Sequence, residues 1–327
     1  PSFSHWGVGL LIGLSGLLVE PLAWLQSLLY AKRLRRAQLP DDPIVIIGHW
    51  RSGTTFLHQL LACDPAVATA RNTLTVAPQV ALLLQPWIAP LMKAWMTRVR
   101  PIDAVPWGPD DPQEDEVGLA RLTFDTNMGG MAFPRDYLAN FRRHVLETST
   151  AYERQWLTFC RLTWLHDGAG KSHWLIKNSV HTARVRLVLK HFPRARFVLL
   201  RRSPVDSIRS LVQVKQRLGA LVGLQPLPDP PTQVEETATA HRELLEAFEA
   251  SRHLIPAQQL LELDYDDLIS QPLQAVEGIY THFDLTSWPV AEAPIKARID
   301  RARSYTADPV QLPPLAERRL QELVKAS

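Results

Sequence analysis

Arg51, Ser52, Gly53, Thr54 and Thr55 stand in an unbroken row behind Gly48, and the apolar run Ile44-Val45-Ile46-Ile47 leads into them. A fixed cation, several hydroxyls and two glycines at a Gly-x-x-x-x-Gly spacing are residue types that together hold an anion. The apolar run predicts a buried strand, the glycines a tight turn, and Phe56 to Leu61 a helix. The first N–H groups of a helix lack partners inside it and sit at the positive end of its dipole, so phosphate binds well there. Nucleoside-triphosphate loops place Lys directly before the Ser/Thr. Here Thr54 fills that slot and the cation lies earlier, at Arg51. That displacement points away from ATP hydrolysis.

Two further segments carry residues of the same kind. Phe197 to Leu200 predicts a second buried, parallel-type strand, which Arg202 ends. Ser203-Pro204 reads as an N-cap followed by Pro at the first helical position. Ser210 then falls about two helical turns into that helix, so any anion it touches lies along the helix flank. Trp174-Leu175-Ile176 predicts a third strand and leaves Lys177 at its carboxyl end, where ligands bind in open α/β sheets.

The Arg51-Ser52-Gly53-Thr54-Thr55 string resembles the 5′-phosphosulfate loop of sulfotransferases that use 3′-phosphoadenosine 5′-phosphosulfate (PAPS). Arg202 and Ser210 are similar to that family's 3′-phosphate motif, an Arg at a strand end with a Ser eight residues on. Pro112-Gln113-Glu114-Asp115-Glu116 and Lys177-Asn178-Ser179-Val180-His181 resemble segments of a broad bacterial-type branch, with Ser179 in place of a proline. Leu260 to Leu268 reads as a late strand followed by a capped turn, and resembles the segment these enzymes place after their last core strand. The resemblance covers roughly residues 43–285. It implies a P-loop-like α/β fold, PAPS as donor, adenosine 3′,5′-bisphosphate as product and no metal requirement. It also implies that Arg51, Ser52, Gly53, Thr54 and Thr55 hold the 5′-phosphosulfate, that Arg202 and Ser210 hold the 3′-phosphate, and that Lys177 steadies the leaving oxygen.

Sulfuryl transfer, like phosphoryl transfer, needs cationic and N–H donors on the transferred group and a base for the acceptor. Cytosolic small-molecule sulfotransferases have a His two residues after the lysine, and Ser179 stands there. Tyrosyl-protein sulfotransferases have a Glu downstream of the loop, and the corresponding Ala70-Arg71-Asn72-Thr73 has no acid. The base therefore falls among the acids of 114–116 and His181, with Glu114 or Glu116 preferred. Most of the acids in 110–116 also suit the first turn of a helix that continues through Val117, Leu119, Ala120 and Leu122. His49 either touches the sulfonate or packs against Trp50.

Length and composition agree with one α/β unit. The 327 residues are 46% hydrophobic, enough for a sizeable core, and the net charge of +3 gives no nucleic-acid footprint. Two isolated thiols, Cys63 and Cys160, make neither a disulfide framework nor a metal-ligand spacing and fit a reducing, cytoplasmic setting. Prolines cluster around 84–113 and 226–231 and suggest irregular surface connections. Residues 233–251 carry apolar side chains at helical spacing. The resemblance also implies that Arg298 to Tyr305, with Arg301 and Arg303, closes over the 3′-phosphate as the family's C-terminal basic segment does.

Residues 1–40 form a separate apolar segment, ahead of the α/β unit expected over 41–327. Trp6 to Tyr30 holds one acid, Glu20, and the basic run Lys32 to Arg36 follows. Three readings remain open: an amphipathic or hairpin segment on a membrane or lining an apolar acceptor groove, a buried helix pair, and a true span. Glu20-Pro21 near the middle argues against spanning. The opening at Pro1 without Met suggests processing or trimming. A peripheral position at the inner face of a membrane, through residues 6–36, is expected. The acceptor is expected to be a hydroxyl or amine of a hydrophobic or lipid-like molecule. A kinase-like phosphotransferase and a non-catalytic membrane-associated protein with a degenerate nucleotide fold are the rival functions.

Overall fold

A computed structural model describes residues 6–97, 99–100, 107–302 and 310–325. Five strands, β1 (Ile44–Ile47), β2 (Val67–Thr69), β3 (His173–Lys177), β4 (Arg196–Arg201) and β5 (Leu260–Asp264), form one sheet in the order β2-β3-β1-β4-β5. Every pairing is parallel. A parallel sheet needs cover on both faces, and β1 meets this need with four buried apolar residues. Val45 and Ile47 face a core built with Trp156, Phe159, Val188 and Phe248. Ile44 and Ile46 face the opposite core, with Leu57, Leu60, Val276, Ile279 and Ile295. The expected P-loop-like sheet with helices on both faces is thus present. β2 has only three residues and no sequence signal of its own, and it escapes a reading that depends on longer apolar runs.

Register matters more to function than layer count. Ile46 pairs with Lys177 on β3, and Ile47 pairs with Leu199 on β4. The central strand therefore ends within two residues of both neighbours. The loop after β1, the segment after β3 and the helix Pro204–Val222 after β4 all start from this one edge.

Residues 6–36 form one continuous helix, Trp6–Arg36, with Pro21 inside it, in place of a hairpin or helix pair. Gln26 fastens it to the body. Its amide donates to the Pro78 carbonyl at 3.0 Å, and its oxygen accepts from the Leu82 and Leu83 N–H groups at 2.8 and 3.1 Å. Tyr30 adds a bond to the Leu82 carbonyl, and Tyr30 and Leu34 pack on the first core. Among the described residues no helix is long and apolar enough to cross a membrane. The proline-rich stretch expected to be irregular contains the helix Gln85–Trp95. Pro86 lies in its first turn, where no N–H is needed, and Pro90 lies inside it.

The buried β1 residues predict a mutational contrast. Ile46→Ala should cost about 2–5 kcal/mol in denaturant unfolding, because it leaves a cavity in a packed interior. Leu28→Ala, on the exposed side of the N-terminal helix, should stay within about 0.5 kcal/mol of wild type.

Candidate active site

The turn between β1 and helix Thr54–Leu61 is held open by its own backbone. Gly48, Arg51 and Gly53 have φ of 134°, 71° and 93°. A Cβ at Gly48 would lie 2.5 Å from the Leu200 carbonyl oxygen, and one at Gly53 would lie 2.7 Å from the Tyr265 ring. Both positions therefore need glycine for conformation and for space. Ser52 closes the turn, since its hydroxyl and its N–H donate to the His49 carbonyl at 2.7 and 3.2 Å. From outside, the Thr182 hydroxyl accepts from the Gly48 N–H at 2.8 Å. The first helical bond back to the loop runs from the Leu57 N–H to Gly53, so the amides at 54–56 precede the internal ladder. Thr54 is buried and Thr55 half-buried. The helix begins at Thr54, two residues earlier than the apolar run alone implies.

The two arginine motifs, far apart in sequence, meet in space. Arg51 Nε donates to the Ser210 hydroxyl at 3.0 Å, and Arg202 Nη1 donates to the Arg51 carbonyl at 2.7 Å. The Arg202 guanidinium lies 4.2 Å above the centre of the Tyr265 ring. Such stacking fixes a cation's plane without using its N–H groups. Tyr265, the first residue of the helix after β5, thus supports both Gly53 and Arg202. The sequence marked it only as part of a segment following a strand. Arg202 Nε and the fully buried Ser207 hydroxyl have no hydrogen-bond partner among the described residues. Such groups need a partner, and a polyanion at this edge would supply one. Ser203 caps its helix by accepting from the Asp206 N–H, with Pro204 next, as the sequence implied.

Lys177 and the acidic segment form the third part. Lys177 is 4% exposed, and its ammonium donates to Glu114 Oε2 at 2.5 Å. The Ser179 N–H donates to the other Glu114 oxygen at 3.0 Å. The Glu114 side chain keeps 13% of its surface open to solvent. Glu116, two residues on, is in a different situation. It is fully buried, and its oxygens accept from the Asn127 N–H, the Asn178 amide and the Tyr152 hydroxyl at 3.0, 3.0 and 3.3 Å. Burial raises its pKa, and the Arg184 charge with the Asn178 and Asn127 bonds pulls it part of the way back. Asp115 is raised well above the usual carboxylate range by burial and by its acidic neighbours Glu114 and Glu116. The acids do open a helix, Asp115–Leu119, but it ends sooner than the apolar spacing suggested.

The candidate histidines, His181 and His49, lie inside the protein. His181 is fully buried edge-on to Trp156, with ring centres 4.9 Å apart, and neither ring nitrogen has a partner among the described residues. His49 packs edge-on to Trp50 and lies 4.5 Å from the His241 ring centre. Burial, with His241 nearby, lowers its pKa well below the usual imidazole value. Beside the loop, Trp50, Asn127, Met131, Tyr137 and Phe141 line a small, mostly apolar cavity. Arg298 pairs with Asp111 at 3.4 Å, and Arg303 lies outside the described residues. Among the described residues no three His, Cys, Asp or Glu side chains converge as a metal would require.

The model of a sulfotransferase family matches residues 43–289, most of the chain. The chain belongs to that family. Two relatives, the omega-hydroxy-beta-dihydromenaquinone-9 sulfotransferases Stf3 of Mycobacterium bovis and Mycobacterium tuberculosis, are each 25% identical over 311 residues. Those matches cover 93% of this chain and 77% of each relative. The fold is shared with the sulfotransferase STF9 from Mycobacterium avium, at TM-score 0.71 and 19% identity over 92% of this chain and 80% of that one. STF1 from Mycobacterium tuberculosis H37Rv gives TM-score 0.67 and 19% identity over 94% and 82%. The protein is thus a sulfotransferase, and its resemblance to bacterial-type members of the family is borne out.

A pH dependence follows from His181. Burial, with Arg184 adding to it, pushes this imidazole down to about 3. Below the ordinary value of 6.5, the unfolded chain takes up a proton that the folded one refuses until about 3, so stability is lost as the pH falls through that window. Denaturation of wild type and His181→Leu at neutral pH and near pH 5 should show wild type losing about 2 kcal/mol more. Equal losses would show that His181 is not held neutral.

Proposed function

We propose that the protein transfers the sulfuryl group of PAPS to a hydroxyl of a hydrophobic, lipid-like acceptor, with Glu114 as the base. The observation that carries this reading is the Lys177–Glu114 pair at the carboxyl edge of β3, one strand from the anion-binding loop. It puts a cation and a partly exposed carboxylate side by side where a leaving phosphate and an incoming hydroxyl would meet.

The residues fit such a donor. Arg51, the amides at the start of helix Thr54–Leu61 and the Thr54 and Thr55 hydroxyls would hold the 5′-phosphosulfate. Arg202, steadied by Tyr265, and Ser210 would hold the 3′-phosphate, with the unpartnered Ser207 hydroxyl close in sequence. In the transfer, the bond from sulfur to the bridging oxygen breaks as the acceptor oxygen bonds to sulfur. Lys177 would then stabilise the charge left on the phosphate, and Glu114 would take the acceptor proton.

Among the candidate bases, access favours Glu114. Glu116 and His181 are fully buried, and the Glu116 oxygens already accept three bonds. Glu116 instead reads as a latch that holds Asn178, and hence the strand end carrying Lys177. The acid absent from 70–73 would come from the neighbouring segment. Asn72 N–H donates to the Asp111 carbonyl and Gln113 N–H to the Ala70 carbonyl, which brings Glu114 beside that stretch. The acceptor class rests on the menaquinone-derived substrate in the names of the two mycobacterial relatives. Such acceptors reside in lipid, which makes a membrane surface the source of substrate.

Calorimetry should show binding of adenosine 3′,5′-bisphosphate that Arg51→Ala weakens. Labelled PAPS should transfer its label to isoprenoid or quinol alcohols. Glu114→Gln should keep bisphosphate binding and lose about 10²–10⁴-fold in turnover. Glu116→Gln should lower stability by about 1–3 kcal/mol, because it places an amide donor among donors. Full turnover in Glu114→Gln, or no bisphosphate binding by wild type, would refute the reading.

A further inference from the structure

From Leu17 to Arg36, the described side chains of the N-terminal helix turn one face to the body and leave the other uncovered. Gln26, Tyr30 and Leu34, spaced four residues apart, form the attached face through the bonds to Pro78, Leu82 and Leu83 and the packing on the core. Leu17, Trp24 and Leu28 recur at spacings of seven and four, which stack on a single helix side. They are 72%, 68% and 61% exposed, and Leu25 and Leu29 widen the stripe. Lys32 and Arg35 continue the line from Leu28 at the next four- and seven-residue steps, and Arg36 follows from Leu29 by seven. All three cations are exposed, with no ion-pair partner among the described residues. By the same spacing Glu20 falls at the edge of the stripe, where its carboxylate reaches water.

A second exposed apolar pair stands nearby in the chain. Helix Gln85–Trp95 opens two residues after Leu83, which Gln26 holds, and it carries Trp87 and Leu91 one turn apart and exposed. An uncovered stripe of this size is unusual on a soluble monomer surface.

We propose that this face docks on an anionic lipid bilayer, with Leu17, Trp24 and Leu28 entering the headgroup boundary and Lys32, Arg35 and Arg36 meeting lipid phosphates. The apolar body with a cationic end on the same side is the pattern of helices that lie in a membrane interface. Charge decides between occupants. A second copy of this chain would present the same cations, whereas an anionic bilayer complements them. The surface deepens the reading of a lipid-like acceptor, because it would hold the enzyme where such an acceptor dissolves, yet it stands on observations separate from the donor site.

Flotation of the full chain with phosphatidylglycerol–phosphatidylcholine vesicles tests it, with phosphatidylcholine-only vesicles alongside. Wild type should float with the anionic vesicles, and binding should fall roughly tenfold or more with added salt. The same fall is expected in a Leu17→Ser/Trp24→Ser/Leu28→Ser variant and in a Lys32→Glu/Arg35→Glu/Arg36→Glu variant. Both variants should bind adenosine 3′,5′-bisphosphate as wild type does. The proposal is overturned if wild type stays behind in the aqueous phase, if both variants float unchanged, or if the apolar variant only converts a dimer to a monomer. Lost bisphosphate binding with flotation intact would instead count against the donor assignment.

Discussion

Parallel pairing of β1 with β3 on one side and β4 on the other is the constraint from which the site follows. Lys177 is level with Ile46, and Leu199 is level with Ile47. Three chain segments therefore leave the sheet at one edge: the glycine turn, the Lys177–Thr182 stretch and the Arg202–Ser210 helix start. Parallel strands also point their following helices the same way, so helix N-termini and side-chain cations gather at the same place. Thr182 then ties the second segment to the first through Gly48, and Arg51 ties the first to the third through Ser210. A shift of one residue in the β1–β3 pairing would turn Lys177 to the other side of the sheet.

Polar groups at this edge divide by whether they are satisfied. Glu116 has its oxygens filled and no surface, which gives it rigidity and no access to substrate. Glu114 has two donors and a window to solvent. Arg202 and Ser207 retain unfilled capacity. Two glutamates of one acidic run thus take different parts, and the difference comes from burial and hydrogen bonding rather than from residue type.

Much of this was legible in the sequence, and the exceptions have physical causes. The β1, β3 and β4 strands and the helix cap at Ser203 were readable because buried parallel strands are continuous apolar runs and capping is local chemistry. β2 was missed because three residues carry no period. The separation of Glu114 from Glu116 could not be read, since it depends on Tyr152, Asn127 and Asn178, which come from three other parts of the chain. Tyr265 was overlooked for a similar reason: its ring matters through contacts with Gly53 and Arg202, remote in sequence. The N-terminal helix was ambiguous because composition alone does not tell which face is uncovered, and Gln26 settles that through three bonds.

The central claim is that the Arg51 turn and the Arg202–Ser210 helix act as one anion site. A double-mutant cycle of Arg51→Lys and Ser210→Ala on adenosine 3′,5′-bisphosphate binding addresses it most directly. Direct contact between the two predicts a coupling energy of about 0.5 kcal/mol or more. Additive losses, with coupling indistinguishable from zero, would contradict it.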